Sequence, residues 1–453
     1  MKWLSHKSNA IVKLAAAIVI LSGWSLNASF ADTNIANVVL VKTDNPTTVH
    51  QLAVSCSAIG VNYLGGDNLY RIILTNSASA LKLLEIARTI PQVAFAETDK
   101  YVVANSTSPT PPSTWTYSFD AYLPMPRPSV RTYSLCDTSP TPPSTWTYSF
   151  DAYLPMPRPS VRTYSLCDTS PTPPSTWTYS FDAYTNPSNP PVPSSSSLVN
   201  LPGNADDGSG VTVAVLDTGI DLADPNISPS LIPGVNVVEP GLPPNALADG
   251  RTNSLQYHGT EVAGILLQVA PAANIMPVKV LNADGVGSIS NVIVGIEYAI
   301  HHGARVLNLS LGTPAKTLAL SDVIAQAERA GVVVVASAGN SNTSAPAYPA
   351  SLPGVIAVAA INPDTSKSAA SSYGSDISVV APSASGTSLA APYVSGEAAA
   401  ILSLRPTATP SWVAGIIKST AHSVDGANPQ LAGELGAGLI DVSAAEQMAA
   451  SSR

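Results

Sequence analysis

The sequence predicts an α/β protein built on a mostly parallel sheet with helices on both faces, preceded by a small α+β module. Three observations carry this reading. Six β-branched, apolar runs follow residue 200, each is apolar throughout rather than alternating, and helical patterns lie between several of them. A strand that is apolar on both sides is buried on both faces, as in a parallel sheet wrapped by helices. With 45% hydrophobic and 11% charged residues among 453, the chain has ample material for such a core.

Taken in order, residues 1–31 carry Lys2, Lys7 and Lys13, then the apolar run "LAAAIVILSGWSL", then Ser29 and Ala31 as small residues ahead of Asp32. This is the pattern of a cleaved signal peptide, and the run is short for a spanning helix. Export to the medium, the periplasm or the cell envelope is expected, with no stable membrane anchor. Residues 32–105 read as strand "IANVVLVK", helix "TTVHQLAVSCSAIG", strand "LYRIIL", helix "SASALKLLEIARTI" and a final extended "VAFAETDKYVV".

Residues 106–199 form a Pro/Ser/Thr-rich linker. The unit 107–137 recurs letter for letter at 138–168, and its opening part returns at 169–184. Six prolines per unit disfavour helix and central strand, so an extended spacer is expected; the aromatic "WTYSFDAY" would otherwise offer a sticky surface for polysaccharide or peptide.

The main domain, 200–447, places strands at 211–216, 275–281, 304–311, 332–338, 355–361 and 377–382. Helices are expected near 259–269, 288–302, 318–330, 388–404 and 410–421, with 448–453 as a tail. The three cysteines, Cys56, Cys136 and Cys167, suggest neither a disulfide framework nor a metal site. A net charge of −9 without a basic cluster argues against nucleic-acid partners.

In a parallel sheet, function gathers at the carboxyl ends of strands. Asp217 ends the strand in "VAVLDTGID"; alone, it reads as a residue organising its own turn, and the single Asp-Thr-Gly would make an aspartic protease only as a homodimer. His258 opens the helical "HGTEVAGILLQVA" and alone reads as a surface residue. Asn340, in "ASAGNSN", alone reads as a turn residue, and Ser388, in "ASGTSLAAP", as a helix cap.

Together they hold different chemistry. A serine hydroxyl is activated by an imidazole whose other nitrogen is fixed by a carboxylate, and an amide donor can hold the developing oxyanion. The chain order Asp, His, Ser is neither the His, Asp, Ser of trypsin-like enzymes nor the Ser, acid, His of α/β-hydrolases.

The segments "VAVLDTGID", "HGTEVAGI", "ASAGNSN" and "GTSLAAPYVSG" resemble the signature segments of the subtilase (subtilisin-like) serine protease family. The resemblance implies a subtilisin-like fold, with Ser388 as nucleophile, His258 as general base and acid, Asp217 as orienting carboxylate and Asn340 as oxyanion donor. It implies that Ser310, Leu311 and Gly312, with Ala338 and Gly339, bind an extended protein or peptide substrate. Residues 32–105 are similar to the ferredoxin-like propeptides of the family, which implies an intramolecular inhibitor, cut away near 101–106 or inside the spacer, and hence a self-processed, secreted zymogen.

Glu261 stands where the family often has a second His, Leu389 where it has Met, and the stretch between Asn340 and Ser388 is short. No cofactor is expected. Family members often bind structural calcium, but no compact Asp/Asn series marks a ligand set. The alternative function is a subtilase scaffold that binds without efficient turnover.

Overall fold

The computed structural model describes residues 37–65, 68–104, 198–203, 207–246 and 255–452, together with the backbone of three strands between 114 and 182. The expected signal peptide and most of the linker lie outside the described residues. The chain divides into two compact units, one formed by residues up to 107 with residues from 192 onward, the other by 108–191.

The first unit begins with β1 (Val38–Thr43), α1 (Pro46–Ser55), β2 (Ala58–Gly65), β3 (Leu69–Leu74), α2 (Ser77–Ala87), β4 (Val93–Thr98) and β5 (Tyr101–Ala104). Asn45 and Asn76 start the two helices, their side chains accepting from the Thr47 and Ser79 amides. Four strands form an antiparallel sheet in the order β2-β3-β1-β4, which gives βαββαβ connectivity. Both helices press apolar faces onto Val39, Val41 and Ile72. One expectation is corrected here: the first helix does not run to Gly60. It stops at Ser55, Ser57 takes a left-handed φ of 55°, and the following residues pair with β3 as β2.

The second unit contains β6 (Thr114–Asp120), β7 (Thr145–Asp151) and β8 (Trp177–Asp182), parallel and in register, with Trp115 level with Trp146 and Trp146 with Trp177. The extended-spacer expectation is corrected for these segments, which fall between the prolines of each repeat and so keep every ladder donor.

The main domain, still in the first unit, comprises β9 (Thr212–Asp217), β10 (Val235–Asn236), α3 (His258–Val269), β11 (Asn274–Lys279), β12 (Val286–Ser288), α4 (Ile289–His301), β13 (Val306–Leu309), β14 (Leu311–Gly312), α5 (Leu318–Arg329), β15 (Val333–Ser337), β16 (Val355–Ile361), β17 (Val379–Pro382), α6 (Thr387–Leu404), α7 (Pro410–Thr420) and α8 (Val442–Ser451). Seven strands make one wholly parallel sheet ordered β10-β11-β9-β13-β15-β16-β17.

Alternate residues feed two cores. Val213, Val215, Val333 and Val335 pack toward α3, α6 and α7, whereas Ala214, Leu216, Val334 and Ala336 pack toward α4 and α5. Sequence order reverses direction between β9 and β13, so a crevice opens at their carboxyl ends. The two-residue edge strand β10 and helix α8 have no counterpart in the sequence reading. Helix α8 is capped by Asp441 and crosses the expected boundary at 447, with Ala449 fully buried; residues 448–451 are therefore part of the domain rather than a tail.

Glu397 lies in α6 fully buried, and neither carboxyl oxygen has a partner. Burial, with the charges of Asp441 and Glu446, pushes its pKa well above the usual carboxylate range. Glu446, hydrogen-bonded to Asp207, is itself pushed up to about 7. Unfolded Glu397 ionises from its ordinary 4.5 upward while the native side chain stays protonated, so unfolding releases a proton and stability falls as pH rises. Each pH unit in that window costs roughly 1.4 kcal/mol. Replacing Glu397 with Met is expected to raise the melting temperature, with the gap over the parent widening as pH rises above the ordinary 4.5 in scanning calorimetry.

Candidate active site

Asp217 terminates β9 with its side chain buried. Its Oδ1 accepts from the Thr218 amide at 2.7 Å and from His258 Nδ1 at 2.8 Å. His258 is the first residue of α3, and the close approach of that helix to β9 depends on Gly259: a Cβ there would stand 2.4 Å from the Gly219 carbonyl oxygen. The carboxylate fixes the tautomer, leaving Nε2 as the basic nitrogen. Burial alone would lower the imidazole pKa, but the charge and hydrogen bond of Asp217, with the charge of Glu261, raise it above the ordinary 6.5.

Ser388 lies in the first turn of α6, where unpaired amides and the helix dipole favour negative charge. Gly386 precedes that turn at φ 116°, and a Cβ there would meet Asn340 Nδ2 at 2.5 Å. The orientation of the Asn340 amide is set by Thr387, whose amide and hydroxyl both donate to Oδ1 at 2.9 and 3.1 Å, so Nδ2 is the donor end. Ser388 Oγ donates to the Ser310 carbonyl at 3.2 Å, and His258 Nε2, buried, makes no hydrogen bond. Asp217, which holds His258, ends β9, and Ser310, which holds Ser388, follows the neighbouring β13; the hydroxyl and the imidazole are not hydrogen-bonded to each other.

The sequence explains why α6 is anchored at this spot. Pro392 has no N–H, so the Ser388 carbonyl lacks its helical donor four residues on. The Ser310 hydroxyl supplies it at 2.7 Å, while Asn308 Nδ2 donates to Ser310 Oγ and Ser395 donates to Asn308 Oδ1, all in buried positions.

Beside these groups lies a groove filled by the chain's own β5. It pairs antiparallel with β12 on one side, Gly287 opposite Val102, and with β14 on the other, Gly312 opposite Val103. The Ala104 amide donates to the Gly285 carbonyl at 2.7 Å. Val102 and Ala104 are buried, while Tyr101 and Val103 face out. Leu311 and Gly312 therefore pair with an extended strand of the chain itself, and Ser310 stands between that strand and Ser388. Ala338 and Gly339 are buried, with amides and carbonyls spent on Val358, Ala347, Thr387 and Ser372, so their backbone is occupied by the scaffold rather than by β5.

The β12 wall was not singled out from sequence; only the glycines of "DGVGS" hinted at it. Also missed were two carboxylates of the N-terminal module. Glu97 accepts from the Leu318 and Ala319 amides at the start of α5, and Asp99 accepts from the Ser290 amide and hydroxyl at the start of α4. Lys42 adds an ion pair to Asp322 at 2.7 Å. Among the described residues no group of three or more His, Cys, Asp or Glu is arranged to hold a metal ion. No helix among them is long and apolar enough to cross a membrane.

A family model described as the subtilase family matches residues 208–438. Subtilisin E of Bacillus subtilis (strain 168) is 38% identical over 271 residues, covering 53% of this chain and 66% of that protein. The chain thus spans slightly less than two thirds of that relative. Subtilisin of Bacillus pumilus is 38% identical over 271 residues, covering 53% of this chain and 92% of that protein. Among solved structures, fervidolysin from Fervidobacterium pennivorans, a keratinolytic enzyme related to subtilisin, aligns with a TM-score of 0.63 at 22% identity over 91% of this chain and 61% of that one; this likeness concerns the fold.

Two outcomes are expected at this site. Ser310→Ala strips a buried carbonyl and a buried amide of their partners and should lower stability by about 1–3 kcal/mol in urea unfolding. If His258 is a base, the acid limb of kcat/KM should have its midpoint above 6.5, the ordinary value for imidazole, and should move down in Asp217→Asn.

Proposed function

We propose, from the premise that this chain belongs to the subtilase family, that it is a serine endopeptidase acting through Asp217, His258 and Ser388, with Asn340 holding the oxyanion. The observation that carries this is the Asp217–His258 hydrogen bond of 2.8 Å at the end of β9, with Ser388 tied through Ser310 to the end of the neighbouring β13, beside a groove already occupied by an extended strand.

A substrate backbone laid between β12 and β14 in place of β5 presents its carbonyl to Ser388. Rotation of the hydroxyl from the Ser310 carbonyl toward His258 lets Nε2 take the proton as Oγ attacks. The imidazolium is stabilised by Asp217 and returns the proton to the leaving amine. Asn340 Nδ2 and the Ser388 amide receive the oxyanion, a donor set whose single members are each worth roughly 100- to 1000-fold in rate. Water then attacks the acyl-enzyme by the same proton route in reverse.

The N-terminal module is read as the inhibitor of the same chain, and the protein as an exported zymogen. Support comes from β5 in the groove and from Glu97 and Asp99 at two helix starts. The self-processing bond is placed just after β5, where residues 105–113 lie outside the described residues. A second reading, a binding scaffold with weak turnover, is favoured by one observation, the missing Ser388–His258 hydrogen bond.

A fluorophosphonate probe separates the two. Labelling of the matured protein that disappears in Ser388→Ala, together with accumulation of the uncut precursor in that variant, is expected for the protease; matured protein that stays unlabelled would establish the scaffold reading.

A further inference from the structure

Lys367 lies in the loop between β16 and β17, outside the catalytic group. Its Nζ donates to Asn342 Oδ1 at 2.9 Å and to the carbonyls of Ser368 at 2.9 Å and Ser371 at 2.8 Å, with the Ala369 carbonyl at 3.5 Å. The ring centroid of Tyr373 is 5.4 Å away. An ammonium carries three donors, and this cage of neutral oxygens with one aromatic face satisfies all of them. Partial burial pulls the lysine pKa down, while the carbonyls that accept from the ammonium favour its charged form.

The cage closes on the backbone that presents Asn340. The Ser372 amide donates to the Gly339 carbonyl at 2.8 Å, the Asn342 amide to Ala370 at 2.9 Å, and the Tyr373 amide to Thr343 at 2.9 Å. Asn340 therefore stands between two anchored residues, Gly339 and Asn342. Asn342 also has a left-handed φ of 50°, which a non-glycine residue holds at a cost unless its surroundings fix it. Its side chain is the one that Lys367 grips.

We propose that Lys367 is a positioning residue for the oxyanion donor: a tethered cation that ties the 368–371 turn to Asn342 and thereby fixes the Asn340 amide. The proposal rests on the protease reading and on the oxyanion role of Asn340. The ammonium does here what a bound cation does elsewhere, drawing several carbonyls to one point. Its effect belongs to the transition state, because a displaced Asn340 weakens the hold on the oxyanion and leaves ground-state pairing with β12 and β14 unchanged.

The test is a double-mutant cycle in the matured enzyme: Lys367→Met and Asn340→Ala, singly and together, with Lys367→Arg as the conservative variant. The readouts are kcat and KM on a chromogenic peptide, inhibition by a peptide boronic acid, and melting temperature. Lys367→Met is expected to lower kcat about tenfold with KM within about twofold. Boronate affinity should weaken by a similar factor, since its tetrahedral adduct uses the same donors. Lys367→Arg should keep most of the rate, and in Asn340→Ala the lysine substitution should add less than about twofold.

Should Lys367→Met fail to fold, Lys367→Gln carries the same comparison. An unchanged kcat in the folded variant, or a loss of the same size with and without Asn340, overturns the assignment while leaving the protease reading intact. An inactive parent enzyme overturns both.

Discussion

The geometry of this protein hangs on one substituted hydrogen bond. A proline at position 392 deprives the Ser388 carbonyl of its helical donor, and the hydroxyl of Ser310 replaces it at 2.7 Å. The replacement ties the first turn of α6 to the end of β13, so the backbone of Ser388 is positioned by the sheet itself. Asn308 and Ser395 extend the tie inward, giving every buried polar atom in that chain a partner. A buried network satisfied in this way is rigid, because any shift leaves a carbonyl or amide in an apolar core without a donor. Asn340 is arranged against the same helix start, through Thr387.

Steric exclusion does the next part of the work. Helices α3 and α6 approach strand ends so closely that Gly259 and Gly386 have no room for a Cβ, being pressed against the Gly219 carbonyl and the Asn340 amide respectively. Electrostatics then shapes what can dock. The N-termini of α4 and α5 are positive ends, and the N-terminal module meets each with a carboxylate. Arg71 lies near enough to Asp99 to favour its charged form, though burial wins and raises the Asp99 pKa.

The parallel sheet was legible because fully buried strands leave an unbroken apolar signature: the run at 355–361 coincides with β16, and the other five main-domain runs fall within a few residues of theirs. Asp217, His258, Asn340 and Ser388 stood out as a candidate set because each lies within two residues of a glycine, Gly219, Gly259, Gly339 and Gly386 respectively. What could not be read was local pattern outweighed by tertiary partners. β10 has two residues and exists only through β11; β2 was absorbed into a helix because "AIG" continues an amphipathic pattern; α8 is alanine-rich and weakly patterned. Lys367, Glu97 and Asp99 look like ordinary surface charges until the chain brings carbonyls or helix ends to them. Glu397 gave no sign of burial, since alanines surround it without hinting that all sides are covered.

The groove raises a competition that covalent connection decides. β5 is held by ladders on both edges, by two buried side chains, and by a module that adds two helix-end carboxylates and an ion pair. A free peptide has only the ladders and the pockets. Burying a valine-sized side chain is worth about 1.5–3 kcal/mol, so a substrate matching Val102 and Ala104 at best equals the groove contribution and lacks the rest. The tether adds an effective concentration in the millimolar range, which ordinary substrate levels do not exceed. While the module remains attached and folded, occupancy by β5 wins on both counts. On the zymogen reading proposed above, breaking the chain after β5 removes the tether but none of the contacts, so access to the groove then depends on how soon the module, one small antiparallel sheet and two short helices, unfolds or is itself degraded.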